Sequence, residues 1–488
     1  MNAKNPDRKA STSDIFNYAV GEGANSVAMN SWGSFGLLYL TLIIGLDPIM
    51  AGLAVSISIF WDAITDPLMG HLSDNTRSRW GRRHIYVLIG GLATAAIFLS
   101  YWTVPQLLES KMAAFAMVLL LNLLIRTALT VFVVPYTALG FEICPEYDMR
   151  AKLQGIRFFL NQIVNFVFGA LAWPLFFKDT VNEATGETIN GSQIAGNYNA
   201  MGITLSMAIV AATLYCCFST RRFATDNRDH PKGHNDLKAF WKDFSSIFKD
   251  RLAIFVFIFT IIAQFSMGLM AQTQMYTYVF FMEFTPWEKT FSHGGGMIAF
   301  ALVSLNLSKV VHRFDKKKTG LIGMCISMFG GFGLWAVFST GLMAPGAGPF
   351  ELFGQAFHAS TIVFGILQMC WWGGCGLVIP LSTSMVADVA AINAKKNGTE
   401  VRNASYASVF SFSQKASFTI TGVLIASMIS ISGFVSGAGE QTPEAIRNIA
   451  NLTFLSGPIV LIFAALMLSR YPVTRKMVAQ YEQGESDA

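Results

Sequence analysis

Residues 61–83 read WDAITDPLMGHLSDNTRSRWGRR, and this stretch decides how the rest of the chain is interpreted. Its first part continues an apolar run from residue 49 and interrupts it with Asp62 and Asp66. Its second part closes the run with four arginines: Arg77, Arg79, Arg82 and Arg83. An apolar run of this length that ends in a basic loop is typical of a helix that crosses a membrane and ends in the cytoplasm.

The composition of the chain agrees with a membrane protein. Of 488 residues, 53% are hydrophobic and only 13% are charged, whereas soluble domains carry about 25% charged residues. This excludes a disordered chain and disfavours a soluble enzyme. The net charge of +5 comes from basic residues in short runs between apolar stretches, which indicates a lipid bilayer around the protein and no nucleic-acid partner.

Apolar stretches long enough to cross a hydrocarbon core of about 30 Å recur along the chain. They predict an all-α membrane protein with twelve transmembrane helices. The predicted spans cover 18–44, 49–72, 84–103, 112–139, 153–177, 200–220, 252–282, 295–312, 320–340, 357–388, 404–433 and 448–470.

The distribution of basic residues predicts the orientation. With both termini in the cytoplasm, the inner segments hold 28 lysines and arginines and the outer loops hold 4, as the positive-inside rule requires. The polar insert 221–251 is then a cytoplasmic linker between an N-terminal six-helix half at 1–220, which carries the cation site, and a C-terminal six-helix half at 252–488. A bacterial cytoplasmic (inner) membrane is the expected location.

The loop after the second span resembles the loop signature of the major facilitator superfamily, whose two six-helix halves rock about a site at mid-membrane. The matching residues are Gly70, Asp74, Gly81, Arg82 and Arg83. In this interpretation Gly70 permits close helix approach and Asp74 pairs with basic residues at an inner gate. A positive-inside anchor also explains the arginines. Glu22, near the inner end of span one, is a further gate candidate.

The two aspartates inside the second span carry the chemistry. Asp62 and Asp66 are four residues apart, so both lie on one face of a helix. Ionisable groups at this depth are costly and usually functional. Two carboxylates beside a hydroxyl suit Na⁺, and they are equally able to share a proton.

The pattern Asp-x-x-Thr-Asp-Pro-x-Met-Gly followed by Ser-Arg-Trp-Gly resembles the glycoside–pentoside–hexuronide:cation symporters, the family of melibiose permease. The likeness covers essentially the whole chain. It implies that Asp62 and Asp66 bind the coupling cation, which would be a metal site if the ion is Na⁺, with help from Thr130 in span four; Thr65 flanks the pair. It also implies that Arg157 and Lys415 lie at the sugar site.

The sugar half of the family pattern is altered. The span-one aspartate that binds galactosides in melibiose permease falls on Ser26, after Asn25. Trp372 in span ten is a candidate to stack on a sugar ring, although helix packing also explains it. Arg126, one turn before Thr130, has two interpretations: it forms a fixed ion pair with Asp62, or it faces the cavity and binds substrate.

Together these residues predict a secondary active symporter that imports a glycoside, an oligosaccharide or a uronic-acid solute with Na⁺ or H⁺. Three cations in the spans (Arg126, Arg157 and Lys415) suggest a solute with a carboxylate, because arginine binds carboxylates bidentately. Two alternatives stay open: a transporter of lysophospholipids or other amphiphiles, and a proton-coupled efflux antiporter. Neither an enzyme nor a cofactor is expected, since no nucleophile–base set or nucleotide motif is present.

Overall fold

A computed structural model describes residues 11–76, 78, 80–144, 153, 156–157, 159–161, 163–167, 171–181, 188–224, 247, 249–352, 354–396, 403–438, 440–474 and 477. Long helices account for most of this part of the chain. The N-terminal helices are α1 Thr12–Ala19, α2 Glu22–Leu42, α3 Pro48–Asn75, α4 His84–Thr103, α5 Lys111–Ile143, α6 Ala172–Phe176 and α7 Ala195–Thr220. The C-terminal helices are α8 Arg251–Tyr276, α9 Pro286–Leu305, α10 Leu307–Leu334, α11 Ala359–Lys396, α12 Asn403–Ile431 and α13 Pro443–Ser469.

Two short antiparallel hairpins also form in the described part of the chain. Strands β1 Thr180–Val181 and β2 Thr188–Ile189 precede α7, and strands β3 Pro349–Leu352 and β4 Gln355–His358 precede α11. The described residues of span five before α6 are helical at 153, 156–157, 159–161 and 163–167.

In the described part of the chain, nine helices are long and apolar enough to cross a membrane. Helices α2 and α9 are not among them, because α2 carries Glu22 and Asn25 and α9 carries Glu288, Lys289 and His293. Their lengths of 21 and 20 residues still match a bilayer. The exposed side chains of the helices include many large apolar ones, such as Leu68 and Phe329, as expected where lipid is the solvent.

Several predicted span boundaries differ from the structure, and three of the differences have a local cause. Span one is broken between Ala19 and Glu22 into α1 and α2. Span eight begins at Pro286 instead of 295, because Thr285 and Glu288 form a capping box and their helix buries polar residues that hydropathy assigns to a loop. In span nine, the non-helical backbone of Asp315 (φ 66°) interrupts α10 near its start.

The two halves meet along a surface that we call the seam. Helix α3 packs against α12, α2 packs against α8, and α6 packs against α9. The hairpin end of the molecule carries both β-hairpins and the loops around 45 and 437. The linker end carries the described residues of the loop 76–83, together with residues 221–224 and 249–251. Helices α8 and α10 are each extended at the hairpin end by a π-helical segment, Thr277–Phe281 and Trp335–Ser339.

Candidate functional site

Asp62 and Asp66 lie one turn apart on α3 and face α5 at the middle of the molecule. Thr130 Oγ1 lies 2.8 Å from Asp62 Oδ1 and 3.0 Å from Asp66 Oδ1. Thr65 Oγ1 lies 3.3 Å from Thr130 Oγ1. A hydroxyl has a single proton to donate, so the two carboxylates compete for it. The four residues that the sequence predicts as cation ligands are thus neighbours.

Lys415 approaches these carboxylates from α12, in the other half of the protein. Its Nζ lies 3.0 Å from Asp62 Oδ2 and forms a salt bridge with Asp66 Oδ2. The resemblance places Lys415 at the sugar site, whereas in this structure its ammonium occupies the face of the predicted cation ligands. The resulting ion pairs cross the seam.

Arg126 supplies a second positive charge from α5. Its Nη1 lies 3.7 Å from Asp62 Oδ2, and its guanidinium carbon lies 4.4 Å from the centre of the Trp32 ring. Arg126 Nη1 also lies 3.7 Å from Met29 Sδ. The side chain is buried, and these contacts hold the guanidinium beside Asp62, in the ion-pair arrangement.

The cluster of Asp62, Asp66, Arg126 and Lys415 is balanced in charge. Two carboxylates this close to each other repel strongly in a medium of low dielectric constant, and the two cations offset that repulsion. The carboxylate and hydroxyl oxygens are the ligand type that hard cations prefer. An alkali cation or a proton that enters the pair therefore competes with Lys415 for the same oxygens.

A second ion pair joins span one to span five. Arg157 Nε and Nη2 lie 2.8 Å and 2.6 Å from Glu22 Oε2, and the guanidinium carbon lies 4.8 Å from the centre of the Tyr136 ring. Asn25 Nδ2 donates to Glu22 Oε1 at 3.0 Å. The resemblance places Arg157 at the sugar site, and the structure shows that a carboxylate of the protein already binds it.

Ser26 belongs to the same neighbourhood as Glu22 and Asn25. Its Oγ accepts a hydrogen bond from Asn161 Nδ2 at 2.6 Å. Glu22 was not predicted from the sequence as the partner of Arg157. With Glu22 included, Arg126, Arg157 and Lys415 face three carboxylates, so the described cluster carries no excess of positive charge.

Trp372 lies in a different cluster, inside the C-terminal half. Gln368 Nε2 donates to Gln274 Oε1 at 2.9 Å, and Trp372 Nε1 lies 3.4 Å from the same oxygen. Gln274 Nε2 lies 3.5 Å from His293 Nδ1. Sequence reasoning missed Gln368 and His293, although a buried amide and imidazole in apolar helices are the kind of signal that marks such a cluster.

The arginines of the loop motif bind the end of α5. Arg82 Nη2 and Arg83 Nε lie 2.7 Å and 3.1 Å from Glu142 Oε1, and Arg83 Nη1 donates to Ser73 Oγ at 2.7 Å. Gly81 has a φ of 85°, a conformation that disfavours side chains. The loop thus joins α3 to α5 within the N-terminal half.

The role of Gly70 in close helix approach stays a prediction. Among the described residues, a Cβ atom at this position would lie 3.9 Å from Val134 Cγ1, which is ordinary van der Waals contact. The side chain of Asp74, the predicted partner of basic residues at the gate, lies outside the described residues.

The helices and the charged cluster at mid-membrane define an integral, multi-pass membrane transporter. A family model described as "MFS/sugar transport protein" matches residues 17–475, and the chain belongs to this family. The match confirms the relationship inferred from the motif of the second span.

The relatives are named as symporters or transporters. The inner membrane symporter YicJ of Escherichia coli is 24% identical and aligns with 94% of this chain and 92% of its own length. The isoprimeverose transporter of Lactiplantibacillus pentosus is 22% identical over 96% and 91%. The sodium-dependent lysophosphatidylcholine symporter 1-A of Danio rerio is 23% identical over 93% and 85%.

The solved structures confirm the fold. A D-xylose–proton symporter superposes with a TM-score of 0.64 at 12% identity and covers 95% of this chain and 98% of that one. At this identity the likeness establishes the fold alone, which is the one predicted from the loop after the second span.

Proposed function

We propose that this protein is a secondary active symporter that couples the entry of a monovalent cation, Na⁺ or H⁺, to the uptake of a saccharide. The observation that carries the proposal is the cluster of Asp62, Asp66 and Thr130, which Lys415 reaches from the other half. The names of the bacterial relatives support a sugar-type solute.

The geometry suggests how coupling works. A cation bound between the two aspartates neutralises the charge that holds Lys415, and the ion pairs across the seam weaken. The solute then binds between the halves, and their relative movement carries both ligands. Because the sites share the seam, cation and solute raise each other's affinity, as linkage requires.

The arrangement in the membrane follows from the same proposal. Residues 1–220 and 252–488 are the moving halves, and 221–251 connects them. The linker end and both termini face the cytoplasm of a bacterial cell, in the inner membrane, with Arg82 and Arg83 on the positive-inside side. The protein has no catalytic role in this scheme.

Reconstituted vesicles test the proposal. Purified protein is inserted into liposomes, and uptake of isoprimeverose, lactose and methyl β-D-glucuronide is measured with an imposed Na⁺ or H⁺ gradient, each compared with no gradient. We expect one gradient to stimulate uptake and Asp66→Asn to abolish the stimulation. Asp47→Asn, at the N-cap of the same helix, is the matched control because asparagine also caps helices. Wild-type stimulation in Asp66→Asn would overturn the assignment.

A second candidate solute is a lysophospholipid, which the name of the zebrafish relative favours. The same vesicles are therefore given lysophosphatidylcholine. Cation-stimulated uptake of this lipid, together with no uptake of any saccharide in the panel, would replace the saccharide in the proposal and leave the role of the aspartates unchanged.

A further inference from the structure

The C-terminal half contains an uncharged polar cluster inside its helices, toward the hairpin end. Gln274 on α8, His293 on α9, and Gln368 and Trp372 on α11 are buried to 95% or more. Their side chains connect three helices through the contacts of Gln274 described above. Polar groups at this depth in a membrane protein are costly, and they usually serve a function.

The hydrogen-bonding capacity of this cluster is only partly used. Gln368 Oε1 is buried and has no partner among the described residues, whereas most buried polar atoms have one. Two of the existing contacts are long: Trp372 Nε1 lies 3.4 Å from Gln274 Oε1, and Gln274 Nε2 lies 3.5 Å from His293 Nδ1. Contacts of this length are weak, so these groups are able to bind another molecule without losing strong bonds.

The cluster borders the seam. Met297, one turn after His293 on α9, has its Sδ 3.8 Å from Asn165 Nδ2 of span five. Met297 shares a face of α9 with His293, because the two residues are four apart. A solute bound at the seam beside Met297 therefore lies next to the His293 side of the cluster.

The opposite wall of the seam is polar at regular intervals. Arg157, Asn161 and Asn165 recur every four residues on span five, which places them on one face of a helix. The first two contact Glu22 and Ser26 of α2, and Asn165 contacts α9. The solute path therefore runs between a wall of span-one and span-five residues and the cluster of Gln274.

The chemistry of the cluster selects the ligand. Amide, imidazole and indole groups form hydrogen bonds without a net charge, and amides offer both donors and acceptors, as hydroxyl groups do. Arg126, Arg157 and Lys415 already pair with Asp62, Glu22 and Asp66. Within this cluster, the groups with free capacity thus match an uncharged ring with several hydroxyls.

We propose that Gln274, His293 and Gln368 bind the hydroxyl groups of an uncharged glycoside, with the Trp372 ring beside them, and so form the C-terminal wall of the solute site. This inference rests on the proposed symport function and names its solute class. A purely structural role would connect α8, α9 and α11 without touching the solute.

The test compares affinity with coupling in the reconstituted system. Gln274→Ala and His293→Ala are assayed by counterflow with isoprimeverose and methyl β-D-glucuronide. We expect the KM for isoprimeverose to rise about tenfold for each lost hydrogen bond, while the concentration of cation that gives half-maximal stimulation stays constant at saturating solute. Ser266→Ala is the control, since it removes a buried bond from α8 to Gly457 of α13, away from the seam, and leaves KM unchanged.

Deoxygenated solutes sharpen the assignment. If His293 binds one hydroxyl, one monodeoxy derivative of isoprimeverose loses affinity in the wild type and has the same KM in the wild type and in His293→Ala. A structural role predicts lower yield and lower maximal rate in the variants, with unchanged KM for every solute, and this result would overturn the inference. So would wild-type preference for the glucuronide with KM unaffected by Gln274→Ala.

The two proposals fail in different ways. Cation-stimulated uptake of isoprimeverose with unchanged KM in both variants refutes the role of this cluster and leaves symport intact. Absence of saccharide uptake by the wild-type protein refutes the saccharide function, and the assignment of the cluster is rejected with it.

Discussion

The hairpin end and the linker end of the seam are built from different contacts. At the hairpin end the halves touch directly: Tyr276 Oη lies 2.8 Å from Thr41 Oγ1, and Gly437 N donates to Thr41 O at 2.9 Å. Lys289, fully buried on α9, has its Nζ 4.6 Å from the centre of the Trp173 ring and 3.2 Å from Asn190 Oδ1.

At the linker end the described ion pairs stay within one half. Arg82 and Arg83 bind Glu142 in the N-terminal half, and Lys316 Nζ lies 2.5 Å from Asp388 Oδ2 in the C-terminal half. Opening the hairpin end must therefore break contacts between halves, whereas separating the described residues of the linker end breaks none of these pairs. This is the arrangement expected of a transporter with its hairpin end sealed.

The largest effect on uptake is expected from a cross-link that holds the hairpin end closed. Lys178 of one half and Gln355 of the other are exposed and line one groove at the hairpin end. In a background without the six native cysteines, Lys178→Cys/Gln355→Cys is treated with a short bis-methanethiosulfonate. We expect cross-linking to abolish uptake, because the halves can no longer separate there, and reductant to restore it.

Each single-cysteine variant treated with the same reagent is the control for the cross-link. Near-wild-type uptake by protein that gel analysis shows to be fully cross-linked would mean that the hairpin end does not open during transport.

A bulky side chain between α3 and α12 at the hairpin end should have the next largest effect on uptake. A Cβ atom on Gly52 would lie 2.3 Å from Ala426 Cβ and 2.6 Å from Gly422 O, so Gly52→Leu keeps α3 and α12 apart. Overpacking of this kind costs about 1–3 kcal/mol, and we expect uptake to fall at least about tenfold. Ser56 is buried between α3 and α12. The cysteine of Ser56→Cys should therefore react faster with a thiol reagent in the Gly52→Leu variant than in the protein with Gly52.

Gly33→Leu is the matched control for Gly52→Leu, since no atom of the described residues lies within 4 Å of a Cβ atom at Gly33. Equal loss of uptake in both variants would attribute the effect to general damage to the protein and contradict the role of α3–α12 packing.

A stronger contact between the halves at the hairpin end should change the reactivity of the cysteine of Ser56→Cys by a smaller factor and in the opposite direction. Asn190→Asp places a carboxylate beside the buried ammonium of Lys289 and keeps an acceptor for the neighbouring Ser192 amide. A charge-assisted hydrogen bond adds roughly 1 kcal/mol over a neutral one, about a fivefold change in population. The reaction of the cysteine of Ser56→Cys with a thiol reagent should be slower by about this factor in the Asn190→Asp variant.

Lys289→Met in the Asn190→Asp background tests the cause of that shift. The effect of the aspartate should disappear when the ammonium is absent, as in a double-mutant cycle. Slow labelling that persists in the double variant would exclude the ion pair as the reason.

The linker end provides the smallest expected effect. Arg82 and Glu142 have side chains exposed to 34% and 30%, and exposed ion pairs contribute about 0–1 kcal/mol. We expect Arg82→Gln to change uptake by less than about twofold. A loss as large as that of Gly52→Leu would show that this pair regulates transport and would end the contrast between the two ends.

The architecture and the core of the charged cluster were predictable from the sequence because both depend on local pattern. The helix period puts Asp62 and Asp66 on one face, and hydropathy locates most spans. The partners of Arg157 and Lys415 depend instead on which helices pack across the molecule. No spacing in the chain reveals that Glu22 meets Arg157 or that Lys415 meets Asp66.

The start of α9 escaped prediction for a related reason. Glu288 is fully buried, and its carboxylate accepts bonds from the His358 amide at 2.9 Å and from Thr361 Oγ1 at 2.6 Å. Lys289 is buried against the other half. Hydropathy treats such residues as solvent-exposed, whereas tertiary partners satisfy their polar groups inside the protein.

The π-helical segments that extend α8 and α10 at the hairpin end have a consequence for movement. A π turn holds more residues than an α turn, and such irregular turns often occur at functional positions in helices. Thr277–Phe281 begins directly after Tyr276, the residue that contacts Thr41. Rewinding this segment by a single residue would rotate the tip of α8 relative to α2, while the rest of α8 stays fixed. Such a change would release the contact between α8 and α2 locally, without rotation of the whole C-terminal half.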